Sequence, residues 1–371
     1  MEFALSEEQQ QVQRTFREFS LKEIRPQARA LDEHPEFPRA LFQKAGELGF
    51  FGMRYPEPEG SGASVLTYVL AVEELAWGSL AVAAACTMQS LMGTHFLHRF
   101  APAEIRERLL AAAFKGERVG TICMTEPNAG SDLLAMRTCA TERGGKYTLT
   151  GSKTWITSAP VADFFTVLAR TGEKSLGVFL VERGAPGLSI GKKIDKLGVR
   201  ASLTSEVYLE DAEAACVLGD PTQGTSYLKE ILAEIRVMTA ALALGLGRAA
   251  FEEALAWAAE RKQFGKPIAH HQAVAAHLAE MAVQLEAARR LTYWAAWRSD
   301  QKLSNAKEAS MAKLFASEAA HTICDRAARV MASYGFSAES GVQRYQRDAQ
   351  FLLIGGGTSE ILRVNIAREL S

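Results

Sequence analysis

Four short stretches combine residue types that do chemistry with the turn residues that expose them. Residues 351–363 read FLLIGGGTSEILR, three glycines followed by Thr-Ser-Glu. Glycine lets a backbone approach a ligand closely, and a helix beginning just after Gly357 offers free N–H groups and its positive dipole end to a phosphate. Residues 121–132, TICMTEPNAGSD, set hydroxyls beside Pro and Gly, a loop suited to a polar ring edge and a phosphate. Residues 151–159, GSKTWITSA, put Trp155 close to Thr157. Residues 260–268, ERKQFGKPI, close a helical pattern with Arg261, whose planar guanidinium can hold two phosphate oxygens. Taken singly, these stretches also read as a polar connection, a core tryptophan or a solvated helix end.

Other chemistries are disfavoured. The sequence has no GxxxxGK[ST], and no GxGxxG between a strand and a helix, so ATP and nicotinamide are poor cofactor choices. Five cysteines without a CxxC pair or a His cluster imply neither a metal site nor a disulfide frame, and a reducing cytoplasm is expected. A formal net charge of -1 provides no long-range field for nucleic acid or an anionic membrane surface. The start, MEFALSEEQQQVQ, has acids and glutamines where a signal peptide would be basic and then apolar, so no export is expected. The longest apolar run, residues 237–246, is far short of the roughly 20 residues a bilayer span needs and reads as a buried helix.

The elements that must position these stretches fall into three blocks. Ser6 and Gln9 form a possible capping box ahead of Val12, Phe16 and Phe19, and Val65, Tyr68, Val69, Val72 and Leu75 repeat the helical period. From about Gly120 the texture changes to short β-like runs, KYTLTG, FFTVLAR, LGVFLVE and TSEVYLE. After Gly224 long helical spacing returns, in Leu228, Ile231, Leu232 and Ile235 and again in Val274, Leu278, Met281 and Leu285. The expected fold is α+β and multidomain: an N-terminal helical domain over 1–119, a central β domain over 120–222 and a C-terminal antiparallel four-helix bundle over 223–371.

In order along the chain, TEPNAGSD, GSKTWIT, DKLGVRAS (195–202), ERKQFGKPI and RYQRDA followed by GGTSEI strongly resemble the acyl-CoA dehydrogenase family. The resemblance implies an FAD-dependent enzyme that oxidises the α,β-bond of an acyl-CoA thioester and passes electrons to an electron-transfer flavoprotein, usually as a homotetramer. It assigns Ile122, Met124, Thr125, Gly130 and Ser131 to the flavin ring and the start of the acyl-CoA site, with Thr125 at the pyrimidine edge. Trp155, Ile156 and Thr157 would cover the flavin face. Arg261, Gln263 and Phe264 would reach a neighbouring subunit's FAD, with Arg261 on the pyrophosphate; Gln272 would also contact the cofactor, and Gly357, Thr358 and Glu360 would lie near the ADP half of FAD. The usual Gln-x-x-Gly-Gly-x-Gly signature departs to RVMASYG here, with Arg329 in place of Gln and Ala332 and Ser333 in place of two glycines; by the resemblance Arg329 would contact the pyrophosphate and Ser333 would lie at the cofactor. Ser131 and Arg236 are the matches on the substrate side.

The resemblance also exposes an absence. Many members carry the proton-abstracting glutamate immediately before the Gly-Thr of the last motif, where this chain has Gly356, retaining only a backbone N–H. Others take it from the helix entering the bundle, where this chain has Ile235. Glu234 is the acid beside that position, but one helical residue turns a side chain by about 100° and moves it about 1.5 Å. It would serve as the base if the helix were shifted or unwound. His95 is a weaker candidate. Three readings follow: an acyl-CoA dehydrogenase acting on a CoA or carrier-protein thioester, a family flavoenzyme with oxidase or hydroxylase chemistry, and a non-catalytic flavin or acyl-CoA binding protein.

Overall fold

The computed structural model describes residues 4–370; the ends of the first and last expected domains, 1–3 and 371, lie outside the described residues, as does the very start of the segment read against a signal peptide. Among the described residues seven α-helices come first: α1 (Glu7–Phe19), α2 (Arg25–Glu33), α3 (Arg39–Glu47), α4 (Val65–Gly78), α5 (Leu80–Thr87), α6 (His95–Phe100) and α7 (Ala103–Phe114). The expected capping box is present, with Ser6 accepting from the Gln9 N–H and the Gln9 side chain accepting from the Ser6 N–H. Ser64 caps α4 in the same way through the Thr67 N–H. Helix α4 is apolar on nearly every side because it lies inside the molecule rather than against one surface.

Eight strands follow: β1 (Gly120–Cys123), β2 (Cys139–Arg143), β3 (Lys146–Thr157), β4 (Phe164–Arg170), β5 (Leu176–Glu182), β6 (Leu188–Lys193), β7 (Thr204–Glu213) and β8 (Cys216–Val217). They form one sheet in the order β6-β7-β3-β2-β4-β5-β8, with β1 paired in parallel to β4. The run FFTVLAR is β4 and LGVFLVE is β5; both are buried along almost their whole length.

Helix α8 (Gly224–Glu260) then runs unbroken for 37 residues, about 55 Å at 1.5 Å per residue. A small hairpin of β9 (Lys262–Gln263) and β10 (Lys266–Pro267) leads to α9 (Gln272–Asp300), α10 (Ala306–Met331), α11 (Ser333–Phe336), α12 (Gly341–Ile354) and α13 (Ser359–Arg368). The long helices α8, α9 and α10 pack with α12 as the expected bundle. The apolar run 237–246 is buried throughout. Residues Leu80–Phe100 are also long and apolar enough by composition to cross a membrane, yet 83% of that window is buried in the protein, so the stretch is core.

Two joints fix the blocks against one another. At the first, α4 crosses α8 at Gly245, where a Cβ would collide with the Glu73 carbonyl. Glu73 and Glu74, both buried on α4, pair with Arg248 of α8 at 3.1 and 2.5 Å, and the Tyr293 hydroxyl of α9 donates to Glu73 at 3.0 Å. At the second joint DKLGVRAS meets RYQRDA. Asp348, buried on α12, accepts from the Val199 N–H at 2.5 Å, and Arg347 donates to the Leu197 carbonyl at 2.9 Å and pairs with Asp32. A Cβ on Gly198 would lie 2.5 Å from the Arg347 carbonyl carbon and oxygen, so this turn can sit on α12 only as glycine. Gly198→Ala is therefore expected to lower stability by about 2 kcal/mol or more in urea unfolding, because backbone rather than a movable side chain blocks the methyl.

Candidate active site

On the sheet side, β1 delivers its chain directly into the TEPNAGSD loop. The Thr121 hydroxyl donates to the Thr157 carbonyl at 2.6 Å and the Thr154 N–H to the Thr125 carbonyl at 2.9 Å, so this loop and the end of β3 form one surface. Beneath it lies a buried ion pair. Lys153, 0% exposed, donates to Glu126 at 2.9 Å and to the Met124 carbonyl at 3.2 Å, while Glu126, 2% exposed, also accepts from the N–H groups of Arg137 and Thr138 at 2.6 and 2.9 Å. Burial opposes the Glu126 charge, yet these hydrogen bonds and Lys153 hold its carboxyl below the usual range. Burial likewise lowers Lys153, against the pull of Glu126.

The pleat of β3 is broken between Lys153 and Ile156. Lys153 and Ile156 point inward, while Trp155, at φ 59°, is turned outward and left 58% exposed. A large aromatic in this sparsely populated conformation signals a surface shaped for something else, and a bulge is how a strand re-aims one side chain. Met124, Thr125 and Thr157 are half-buried close by; Ile122 is buried below them, and Gly130 and Ser131 are exposed at the loop's far end. An exposed tryptophan flanked by hydroxyls and open backbone fits a flat, polar-edged ring.

On the bundle side, the loop between α12 and α13 holds Gly356 at φ 71° and Gly357 at φ 102°, both glycine conformations. Thr358 caps α13 by accepting from the Ile361 N–H at 3.3 Å. Glu360, exposed in the first turn, has its carboxyl held low by its own N–H and the Thr358 hydroxyl. Lys313, 0% exposed on α10, donates to the Gly357 carbonyl at 2.6 Å; burial pushes it down to about 8, with Glu318 and Glu360 opposing and Arg236 adding to the shift. A Cβ at Gly356 would sit 2.7 Å from Oγ1 of Thr239 on α8.

Helix α8 supplies the other face. It is regular through residues 233–237, without the shift or unwinding that a base role for Glu234 invoked. Glu234 forms an ion pair with Arg54, a residue only 10% exposed, and Ile235 is buried among apolar neighbours. Arg236 donates from Nη1 to the Ser310 hydroxyl at 3.2 Å, and its Nε is buried without a partner. His95 opens α6 with a buried, unpartnered Nε2, and burial together with Arg54, Arg99 and His98 pushes its ring down to about 3, leaving it neutral.

The remaining expected residues stand apart. Arg261 is 25 residues beyond Arg236 on the same rod, about 37 Å away, and leads into the exposed hairpin with Gln263 and Phe264, the latter 93% exposed. Gln272 is exposed at the start of α9. Trp257, one turn before Arg261, packs on Tyr334 at 4.5 Å between ring centroids, which brings the hairpin near Ser333. Arg329 pairs with Asp325 at 2.7 Å. Ala332 adopts φ 51°, ψ −127°, so the backbone shape that the usual glycine would allow is kept by an alanine under strain.

Models of the acyl-CoA dehydrogenase N-terminal, middle and C-terminal domains match residues 6–117, 121–212 and 222–371. The chain belongs to the acyl-CoA dehydrogenase family. It is 55% identical to benzylmalonyl-CoA dehydrogenase of Aromatoleum aromaticum over the full length of both chains. Among solved structures it resembles butyryl-CoA dehydrogenase from Megasphaera elsdenii, at 33% identity, TM-score 0.96 and complete coverage of both. It also resembles a glutaryl-coenzyme A dehydrogenase in complex with glutaryl-CoA, at 35% identity, TM-score 0.97, and coverage of 100% of this chain and 96% of that one.

FAD is accordingly the cofactor of this acyl-CoA dehydrogenase, and the outward Trp155 with its polar surround is the feature of this structure that fits it. The sequence reading passed over Glu126, Lys153, Arg54, Thr239 and Lys313. A lone charge inside an otherwise apolar strand was the available signal for Lys153; the others become informative only through their partners in space. Ala332→Gly is expected to raise stability by about 1 kcal/mol in thermal unfolding, as strain is released at a modest entropic cost. For His95 the folded pKa lies below the unfolded one, so the unfolded chain takes up the proton first and stability is lost as pH falls below about 6.5. Relative to His95→Gln, the parent is expected to lose about 2 kcal/mol between pH 8 and pH 5, measured as the difference of their urea midpoints scaled by slope.

Proposed function

We propose that this acyl-CoA dehydrogenase oxidises the α,β-bond of a CoA thioester bearing a second carboxyl group on its α-carbon, a substituted malonyl-CoA, and that its electrons pass to an electron-transfer flavoprotein. The observation that carries this reading is that neither Gly356 nor Ile235 offers an acid, while the nearest one, Glu234, is committed to Arg54. A relative sharing 55% of its residues is named for benzylmalonyl-CoA, a thioester of that class.

Bound FAD supplies the two-electron acceptor. The chain's own residues bind and orient. Trp155 and Thr157 present a face to the ring, Thr125 a hydroxyl to its polar edge, and Ser131 lies on the CoA side. The Gly356 N–H, held in place by the Lys313 clamp on Gly357, donates to the thioester oxygen where negative charge develops, a contribution that requires no side chain. Arg261, Gln263, Phe264 and Gln272 serve a neighbouring subunit's FAD in a homotetramer; the exposed hairpin, too far along α8 to serve its own loop at Gly356, supports this. Arg329, Ser333, Gly357, Thr358 and Glu360 fall on its phosphate and ADP side. The division at 1–119, 120–222 and 223–371 and a cytoplasmic setting complete the reading.

Anaerobic mixing of the holoenzyme with 2-benzylmalonyl-CoA is expected to bleach the flavin band, and 3-phenylpropionyl-CoA, which has no α-carboxyl group, to bleach it at least about 10²-fold more slowly, the usual cost of a missing general base. Equal rates with the two thioesters would overturn the substrate class. Bleaching by neither, nor by a panel of straight-chain acyl-CoAs, would overturn the dehydrogenase reading.

A further inference from the structure

DKLGVRAS does more than join the sheet to α12. Its turn is forced: Val199 stands at φ 52°, an outlier for a β-branched residue, and Asp348 holds it there through the Val199 N–H at 2.5 Å. The turn carries Lys196 inward. The Lys196 ammonium donates to the Ser202 carbonyl and, at 2.8 Å, to Oγ1 of Thr204, while the Thr204 hydroxyl donates to the same Ser202 carbonyl at 3.1 Å. Ser202 and Thr204 are both buried, so this triangle fixes the ammonium inside the protein.

Lys153 of the same sheet has Glu126 as its partner, but the hydrogen-bond acceptors of Lys196 are neutral and it has no ion pair among the described residues. Burial pushes Lys196 down to about 8. Asp348, whose carboxylate also faces Arg344, Arg347 and Asp32, opposes that shift from α12, and Lys193 on β6 adds to it. A cation left with neutral acceptors is costly unless an anion comes near.

The place where an anion would arise is close by. Thr204 is opposite Thr157 in the antiparallel pair of β3 and β7, just past the break that turns Trp155 outward. Directly opposed residues share a face of the sheet with Cβ atoms about 5 Å apart, which puts the ammonium within roughly 10 Å of the Thr157 side chain. Lys196 therefore stands behind the end of β3 that presents Trp155 and Thr157.

We propose that Lys196 is the countercharge of the reduced flavin, a positioning residue that acts from behind Thr157 and Thr204 to set the potential of the bound cofactor. The inference rests on the placement of Thr157 at the ring and is independent of which thioester is oxidised. A hydride leaving the β-carbon brings one proton and two electrons to neutral oxidised flavin, so the reduced cofactor carries one net negative charge. Lys196 supplies a fixed positive charge on that side. Unit charges roughly 10 to 15 Å apart, at an effective dielectric of about 20, shift an equilibrium constant by about tenfold. The coupling is reciprocal: a lysine that favours reduction holds its own proton more tightly once the flavin is reduced.

The holoenzyme is equilibrated anaerobically with a redox dye at pH 7, and the ratio of reduced to oxidised flavin is read at a given potential. That ratio is expected to fall about tenfold in Lys196→Gln, about 30 mV for a two-electron couple, and to stay within about threefold of the parent in Lys196→Arg. A parent ratio in Lys196→Gln would overturn the proposal. Should that variant not fold, the parent decides alone, through the protons taken up per flavin reduced electrochemically. The count is expected to rise between pH 7 and pH 9 by a fraction of a proton, because the oxidised enzyme has lost the Lys196 proton at the higher pH and the reduced enzyme regains it. An unchanged count would overturn the proposal equally. Thr157→Val keeps the two readings apart: its flavin absorption band is expected to shift, or its FAD to be lost. An unchanged spectrum would remove Thr157 from the ring, whereas an altered spectrum beside a parent ratio in Lys196→Gln would sink the role of Lys196 alone.

Discussion

The buried pair of Lys153 and Glu126 is the constraint on which the flavin side of this molecule depends. Each residue sits inside one of the two motifs, and the pair draws the TEPNAGSD loop and the end of β3 into one surface. Glu126 is held by the backbone N–H groups of Arg137 and Thr138, just before β2, as well as by the lysine, so one carboxylate gathers the loop, β3 and the approach to β2. Removing either partner leaves a buried charge uncompensated, at a typical cost of about 3 to 5 kcal/mol. With Lys153 anchored inward, the break in β3 has nowhere to discharge but outward, and Trp155 is what it presents.

The bundle side follows a different logic. There charge is paired wherever the protein needs only to hold together, as in the Glu73, Glu74 and Arg248 cluster beneath Gly245. It is left unpaired where α8 and α10 meet the Gly355–Gly357 loop. Gly356 is no simple deletion of an acid, because Thr239 stands against the position a side chain would enter and the backbone is in a glycine conformation. The loop's remaining asset is its N–H, and Lys313 holds that N–H in place through the neighbouring carbonyl. A loop built this way offers a thioester oxygen a fixed backbone donor and no side-chain acid at that position.

Much of the architecture was legible because it rests on periodicity and on short-range signals. The helical spacing of Val65 to Leu75, the strands FFTVLAR and LGVFLVE, the Ser6 capping box and the helix start after Gly357 depend on near neighbours in the chain, and all are present. The motif order carried the family, and with it FAD. The chain alone also determined that Gly356 and Ile235 are not acids, since identity at a position needs no coordinates. Partnership was decided by tertiary structure. Glu234 and Arg54 are 180 residues apart in sequence and Lys153 and Glu126 are 27 apart, and no local rule says which charges will meet. The same holds for the strain at Ala332, which a composition rule reads as a lost glycine and the fold retains as a glycine's shape. Arg236 could be named from the sequence, but whether a carboxylate answers it depends on three elements closing around it, because pairing is set by distance in space and burial by everything packed nearby.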